Sequence, residues 1–199
     1  LRQLRVRGVQ HIRGDLVLDR RSFNLPAMDP GAFDDKPMRP YNVGPDALLV
    51  DFRSLRFTLL AESERPRLLL ETPSDGLRVD NQLKMTDADC RSDWKDFINT
   101  RLQLEGKTHR LIFTGTFAAA CAEKTLSLAP LAADAQVSGL FHALWKELGG
   151  TLRGQVREGT LPPTVRLLAR HESPTLSENV RHINKWSNNV MARQVFLTL

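Results

Sequence analysis

Long hydrophobic runs are missing from this 199-residue chain. No stretch approaches the roughly 18–20 consecutive apolar residues that a membrane-spanning helix needs. With 41% hydrophobic and 26% charged residues, the composition is that of a globular protein able to bury a core. Aromatic residues are few, at 7%, and they rarely stand beside the basic ones. The net charge of +5 and the pI near 9.6 therefore read as a solvated basic surface. Stacking bases would call for interleaved aromatics, so no nucleic-acid partner is expected. The five histidines, His11, His109, His142, His171 and His182, form no metal-ligand spacing, and Asp34-Asp35 and Asp87-Ala88-Asp89 are carboxylate pairs without a partner motif. Neither a metal nor a cofactor is expected. Internal repeats and low-complexity tracts are absent.

Cysteine is nearly absent too. Cys90 and Cys121 allow one bridge at most. In a cytosolic protein two free thiols are the default, and in an exported one they pair. An initiator Met and a signal peptide are also lacking, and the chain opens in what reads as a helix end, Leu1 to Arg7, capped by Gly8. It closes on the apolar run Val195-Phe196-Leu197-Thr198-Leu199 without a polar tail. Both ends are expected to be cuts in a longer protein.

What is present falls into two textures. From His11 to about residue 130 the chain is mostly β in character. Ile12, Leu16 and Leu18 alternate within a strand His11–Asp19. A Pro- and Asp-rich loop at about 21–45 follows, long enough to mark a boundary or a function. Ala47–Phe52 and Leu55–Leu60 are expected as neighbouring strands, with further strands at 67–71, 77–79 and 111–117. Trp94–Ile98 reads as a short helix or a strand. After Pro130 a helix is predicted from Ala132 to Leu148, because Val137, Leu140, Phe141, Leu144 and Leu148 share one helical face. Gly149-Gly150 ends it, and strands are expected at 152–156 and 165–169.

The last twenty-seven residues read as a helix, a polar corner and a second helix. Ser173 is the expected N-cap, with Pro174 in the first turn and the stripe Leu176, Val180, Ile183 behind it. Ser187-Asn188-Asn189 interrupts the stripe with three short polar side chains that favour caps and turns. Ser187 or Asn188 can cap the helix that carries Val190, Met191 and Val195.

This corner, in the string Asn184-Lys185-Trp186-Ser187-Asn188-Asn189-Val190-Met191-Ala192, resembles the Ser-x-Asn element of penicillin-binding proteins. The resemblance is to their D-alanyl-D-alanine carboxypeptidase/endopeptidase group with large inserted domains. Gly8 to Asp19 and His142 to Gly159 are similar to the stretches by which that group leaves and regains its catalytic domain. The resemblance implies an α+β protein. Residues 1–130 would be β-rich inserted accessory domains, and 131–199 part of a transpeptidase-like catalytic domain. It implies a parent that is a serine-type hydrolase cutting peptidoglycan stem peptides through an acyl-enzyme, in the periplasm or cell envelope, and that is acylated by β-lactams. With export comes an expected Cys90–Cys121 disulfide.

Such chemistry needs a Ser-x-x-Lys nucleophile, a Ser-x-Asn and a Lys-Thr-Gly. By resemblance Ser187 takes the proton-relay role and Asn189 holds a substrate carbonyl. Asn188 is the variable middle residue and Lys185 a supporting charge. Lys-Thr-Gly is nowhere in the chain: Lys107-Thr108-His109 and Lys124-Thr125-Leu126 lack the glycine. Ser-x-x-Lys occurs once, as Ser92-Asp93-Trp94-Lys95, where Ser92 reads as an ordinary helix N-cap rather than a nucleophile. The chain alone is expected to be inactive. A function of a different class, a non-catalytic envelope module binding cell-wall polymer or a partner protein, is the alternative.

Overall fold

The computed structural model describes residues 1–26 and 28–198. Leu199, which closes the apolar terminal run and the 131–199 segment, lies outside the described residues, as does Ala27. The architecture mixes helix and strand, as expected.

The β-rich part holds two sheets around one core. Strand β3 (Leu55–Leu60) runs between β4 (Arg67–Leu70) and β9 (Glu123–Leu128), antiparallel to both. The second sheet is built on β8 (Thr108–Ala118). One flank of β8 carries β5 (Leu77–Asn81) and β6 (Lys84–Thr86), both parallel to it; the other carries β7 (Ile98–Glu105), antiparallel. Alternation dictates what is buried. Leu55, Phe57 and Leu59 of β3 face Leu111, Phe113 and Phe117 of β8, with Leu126 and Leu128 of β9 beside them. The rings of Phe57 and Phe113 meet edge to face with centroids 5.0 Å apart. Cys90 and Cys121 form a disulfide, Cα to Cα 4.7 Å, tying the β6–β7 connection to the end of β8.

The remaining elements gather around α2 (Ala133–Glu147). Helix α1 (Arg2–Val6) leads into β1 (His11–Ile12) and β2 (Leu16–Leu18), which pair in parallel with β10 (Thr151–Leu152) and β11 (Val156–Glu158) respectively. Residues 11–18 thus share their ladders with 151–158, while the chain between runs out into the β-rich part and back. Trp145 of α2 is 1% exposed, and its Nε1–H donates to the Thr151 carbonyl at 3.1 Å. Gly149, at φ 74°, closes α2 in the left-handed turn expected of it. Helices α3 (Leu176–Trp186) and α4 (Asn189–Phe196) end the chain.

Several local expectations change. The strand drawn over 11–19 is two, separated at Gly14. Residues 47–52 are not a strand: Asp51, Phe52 and Arg53 take positive φ in a tight turn. Their apolar side chains anchor a loop instead, Leu49 and Phe52 packing against Val43, Ala129 and Val190. Trp94–Phe97, by contrast, is a short 3-10 helix, one of the two forms expected there. Residues 165–169 form no ladder. The stripe Val137–Leu148 on α2 is only half-buried; the buried face is Ala133, Gln136, Gly139 and Trp145. At Gly139 the β-rich part comes too close for a side chain: a Cβ there would sit 2.7 Å from the Asp75 carbonyl oxygen.

Candidate functional site

Helix α3 begins two residues later than its sequence suggests. Thr175, not Ser173, is the N-cap, and it closes a capping box with Glu178. The Glu178 carboxylate accepts from the Thr175 N–H at 2.9 Å, while the Thr175 hydroxyl accepts from the Glu178 N–H at 3.4 Å. Hydrogen bonds from the Thr175 hydroxyl and amide hold the Glu178 carboxyl below its ordinary range. No residue of α3 is buried.

At its C-terminus Ser187 takes the left-handed conformation, φ 49° and ψ 44°. The Asn188 N–H donates back to the Ile183 carbonyl at 3.2 Å and closes the last turn. The chain then turns straight into α4. Asn188 is the N-cap: its side-chain oxygen accepts from the Met191 N–H at 3.0 Å. Asn189 opens the helix. The corner expected from the polar triplet is therefore a single locked turn. Its middle residue holds the backbone, and Ser187 and Asn189 on either side are exposed, with their side chains free of the hydrogen bonds that fix Asn188. Lys185 points its Nζ over the Trp186 ring, 5.0 Å from the centroid.

What holds this corner is α4. Val190 is 3% exposed and packs on Val43 and Ala129. One turn on, the Gln194 side chain reaches the backbone of Asp46 and bonds it at two points. Its Nε2–H donates to the Asp46 carbonyl at 2.7 Å, and its Oε1 accepts from the Asp46 N–H at 3.1 Å. Asp46, 7% exposed, has its carboxylate engaged by Arg20 through both Nε and Nη2, and by the Leu48 N–H. Arg20 also pairs with Glu158 at the end of β11. The Asp46 hydrogen bonds first, then that to Glu158, keep the Arg20 guanidinium above its ordinary range. Arg53 lies nearby, its guanidinium lowered by burial and donating to the Leu131 carbonyl at 3.1 and 2.5 Å. A cleft of about 860 Å³ opens among these groups, between Arg20, Phe23, Met28, Asp46, Arg193 and Phe196. None of Asp46, Gln194, Arg20 or Glu158 belongs to a sequence motif. The one signal near them is Gly44-Pro45, a turn marker.

Ser92 and Lys95 do not form a nucleophile pair. Ser92 is exposed in a turn, and the N-cap position of the following 3-10 turn is Asp93, without a side-chain cap bond, so the expected capping role falls as well. Lys95 lies over the Trp94 ring at 5.6 Å. A smaller cavity of about 170 Å³ opens beside the disulfide, against Trp94 and Phe117. Among the described residues there is no cluster of metal-binding side chains, and no helix is long and apolar enough to cross a membrane.

The profile of the D-Ala-D-Ala carboxypeptidase 3 (S13) family matches residues 1–199. Two crystal structures of penicillin binding protein 4 (dacB) from Haemophilus influenzae share the fold, each at 22% identity. The first superposes with a TM-score of 0.72, covering 99% of this chain and 43% of its own. The second, complexed with a novel β-lactam, superposes with a TM-score of 0.61 and covers 98% and 40%. The chain thus spans about two-fifths of the length of these neighbours. No curated protein matches the sequence.

Proposed function

Because the chain belongs to the D-Ala-D-Ala carboxypeptidase 3 (S13) family, we propose that it forms the accessory part and second active-site element of an exported serine-type D-Ala-D-Ala carboxypeptidase/endopeptidase. The parent would act on peptidoglycan stem peptides through an acyl-enzyme, in the periplasm or cell envelope, and would be acylated by β-lactams. The observation that carries the reading is the corner Ser187-Asn188-Asn189. The Asn188 side chain, capping α4, and the Asn188 N–H, bonded to the Ile183 carbonyl, fix the backbone, and the two flanking polar side chains stay open to a ligand. A hydroxyl held in that way can pass a proton to a leaving amine, and an amide beside it can hold a carbonyl. Lys185 would add positive charge at the same edge. The division at 130/131 would mark the chain's return from accessory to catalytic domain. The Cys90–Cys121 disulfide supports the exported setting.

The test is made in the complete parent. Ser187→Ala should slow acylation by a fluorescent penicillin and release of D-Ala by roughly 10²–10⁴-fold, the range for one positioned proton-transfer group. Asn189→Ala should slow both by roughly 10²–10³-fold, the range for one positioned hydrogen-bond donor. Unchanged labelling of both variants sinks the reading. The 199-residue chain by itself should give no covalent band on denaturing electrophoresis, because it carries Ser187 and Asn189 without a Ser-x-x-Lys helix or a Lys-Thr-Gly strand. A stoichiometric band would make Ser92 or another serine a working nucleophile.

A further inference from the structure

We propose that Gln194 and Asp46 are positioning residues for the Ser187–Asn189 corner, forming a clamp through which the rest of the molecule sets the orientation of α4. The proposal rests on the reading of that corner given above. Helix α3 buries no residue and meets the described structure chiefly through α4, so the corner is located chiefly by α4. On α4, Val190 and Gln194 are four residues apart and share one face. Val190 supplies an apolar contact, which resists separation but tolerates sliding and rotation. Gln194 supplies what Val190 cannot. Two antiparallel hydrogen bonds, 2.7 and 3.1 Å, to the N–H and C=O of a single residue fix both the position and the rotation of the helix.

The clamp is only as firm as Asp46. That residue is buried, and its own carboxylate is gripped by Arg20 and by the Leu48 N–H at 2.8 Å. Arg20 extends the grip to Glu158 on β11, which is paired to β2. A continuous chain of charge-assisted and amide bonds therefore runs from the parallel ladders through Asp46 to α4. From Gln194 back to Asn189 is five residues, or roughly 7.5 Å of helix. Over that lever arm a small rotation at Gln194 displaces the Asn189 side chain by a comparable fraction of an ångström. A misplacement of about 1 Å at reacting groups can cost about 10²-fold in rate.

The experiment uses the complete parent with Gln194→Met, which keeps side-chain length and removes both hydrogen bonds, and Asp46→Asn, which keeps the backbone partner and weakens the hold of Arg20. Acylation by a fluorescent penicillin and kcat and KM for D-Ala release are measured per folded molecule, alongside the melting temperature. A loss of 10- to 100-fold in acylation and kcat per folded molecule is expected for Gln194→Met. A smaller loss is expected for Asp46→Asn, and a double variant less impaired than the product of the two, because both act through one clamp. A purely structural clamp would lower the melting temperature and leave the rate per folded molecule at the parental value, and that result overturns the proposal. Should Gln194→Met fail to fold, a parental rate in Asp46→Asn overturns it equally. A parental rate in Ser187→Ala sinks the reading of the corner itself. A dead Ser187→Ala beside a fully active Gln194→Met sinks the clamp alone.

Discussion

Ser187 sits in a conformation that costs a non-glycine residue about 1–2 kcal/mol, since its Cβ crowds the following carbonyl. Helix ends that need only a left-handed cap recruit glycine, so a serine retained there points to a use for its hydroxyl. Ser187→Gly separates the two roles. It relieves the crowding but adds backbone entropy to the unfolded chain, so stability should hold level or rise by up to ~1 kcal/mol. Penicillin labelling of the parent should nonetheless fall as far as it does in Ser187→Ala. A labelled, fully active Gly variant would show the hydroxyl to be idle. The neighbouring residue behaves oppositely: Asn188→Ala removes the α4 N-cap and should cost about 0.5–2 kcal/mol by chemical denaturation. Ser92→Ala, with no cap bond to lose, should stay within about 0.5 kcal/mol of the parent. At this scale the corner was legible, because a polar triplet that breaks two apolar stripes has few structural uses. Asp46 and Gln194 were not. Their contact spans 148 residues and engages one partner only through its backbone, which leaves no trace in residue type or spacing.

Elements whose two faces differ were read well, and elements whose pattern is mixed were not. Strands β3 and β8 alternate or run apolar, and both were expected close to their true bounds. Strand β7, reading Ile98-Asn99-Thr100-Arg101-Leu102-Gln103-Leu104-Glu105, was missed, because it buries Ile98 alone and is otherwise specified by its pairing with β8. The apolar run 47–52 misled for the converse reason: its side chains serve the packing of a loop and α4. Polar tethers are likewise invisible in a pattern. Asp19 closes β2, accepting from Arg21 Nε and Nη2 at 2.9 and 2.7 Å and from the Leu161 N–H at 3.0 Å. Those bonds, led by the one from Arg21, hold its carboxyl well below the usual range, and Asp15 is lowered likewise by Arg157 and the Gln155 N–H. A depressed folded pKa means that the stabilisation is complete above the unfolded value near 3.9. It is then lost as pH falls through the folded one. Melting temperature should therefore drop as pH is lowered below about 4. Asp19→Asn should be less stable than the parent at pH 7 and show a shallower acid limb. An unchanged acid limb would mean that Asp19 is equally ionised in the unfolded chain.

Across the whole molecule stability is distributed unevenly. The β-rich part buries Leu55, Phe57, Leu59, Leu111 and Phe113 completely, whereas α3 leaves Leu176 51%, Val180 41% and Trp186 70% exposed. Helix α4 lies between these extremes, anchored by Val190 and Gln194. An eleven-residue helix is marginal in water without packing, even with a capping box. In the 199-residue chain, amide exchange should therefore proceed through graded openings: α3 first, α4 next, β3 and β8 only on global unfolding. The disulfide divides the same hierarchy. It closes a loop across a sequence separation of 31 residues, worth about 3–4 kcal/mol in the loop-entropy model. Reduction should accelerate exchange in β3, β7 and β8, whose shared core the bridge borders, by roughly 10²–10³-fold. It should leave α3 and α4 untouched, because their openings are local and α4 is anchored on Val43, Ala129 and Asp46 rather than on the core that the bridge borders. Equal protection of α3 and β8 in the oxidised chain would show that the whole molecule opens as one unit. A loss of α3 protection on reduction would place the disulfide in the same cooperative unit as the Ser187–Asn189 corner. That result would make the redox state of the β-rich part a determinant of the site's geometry.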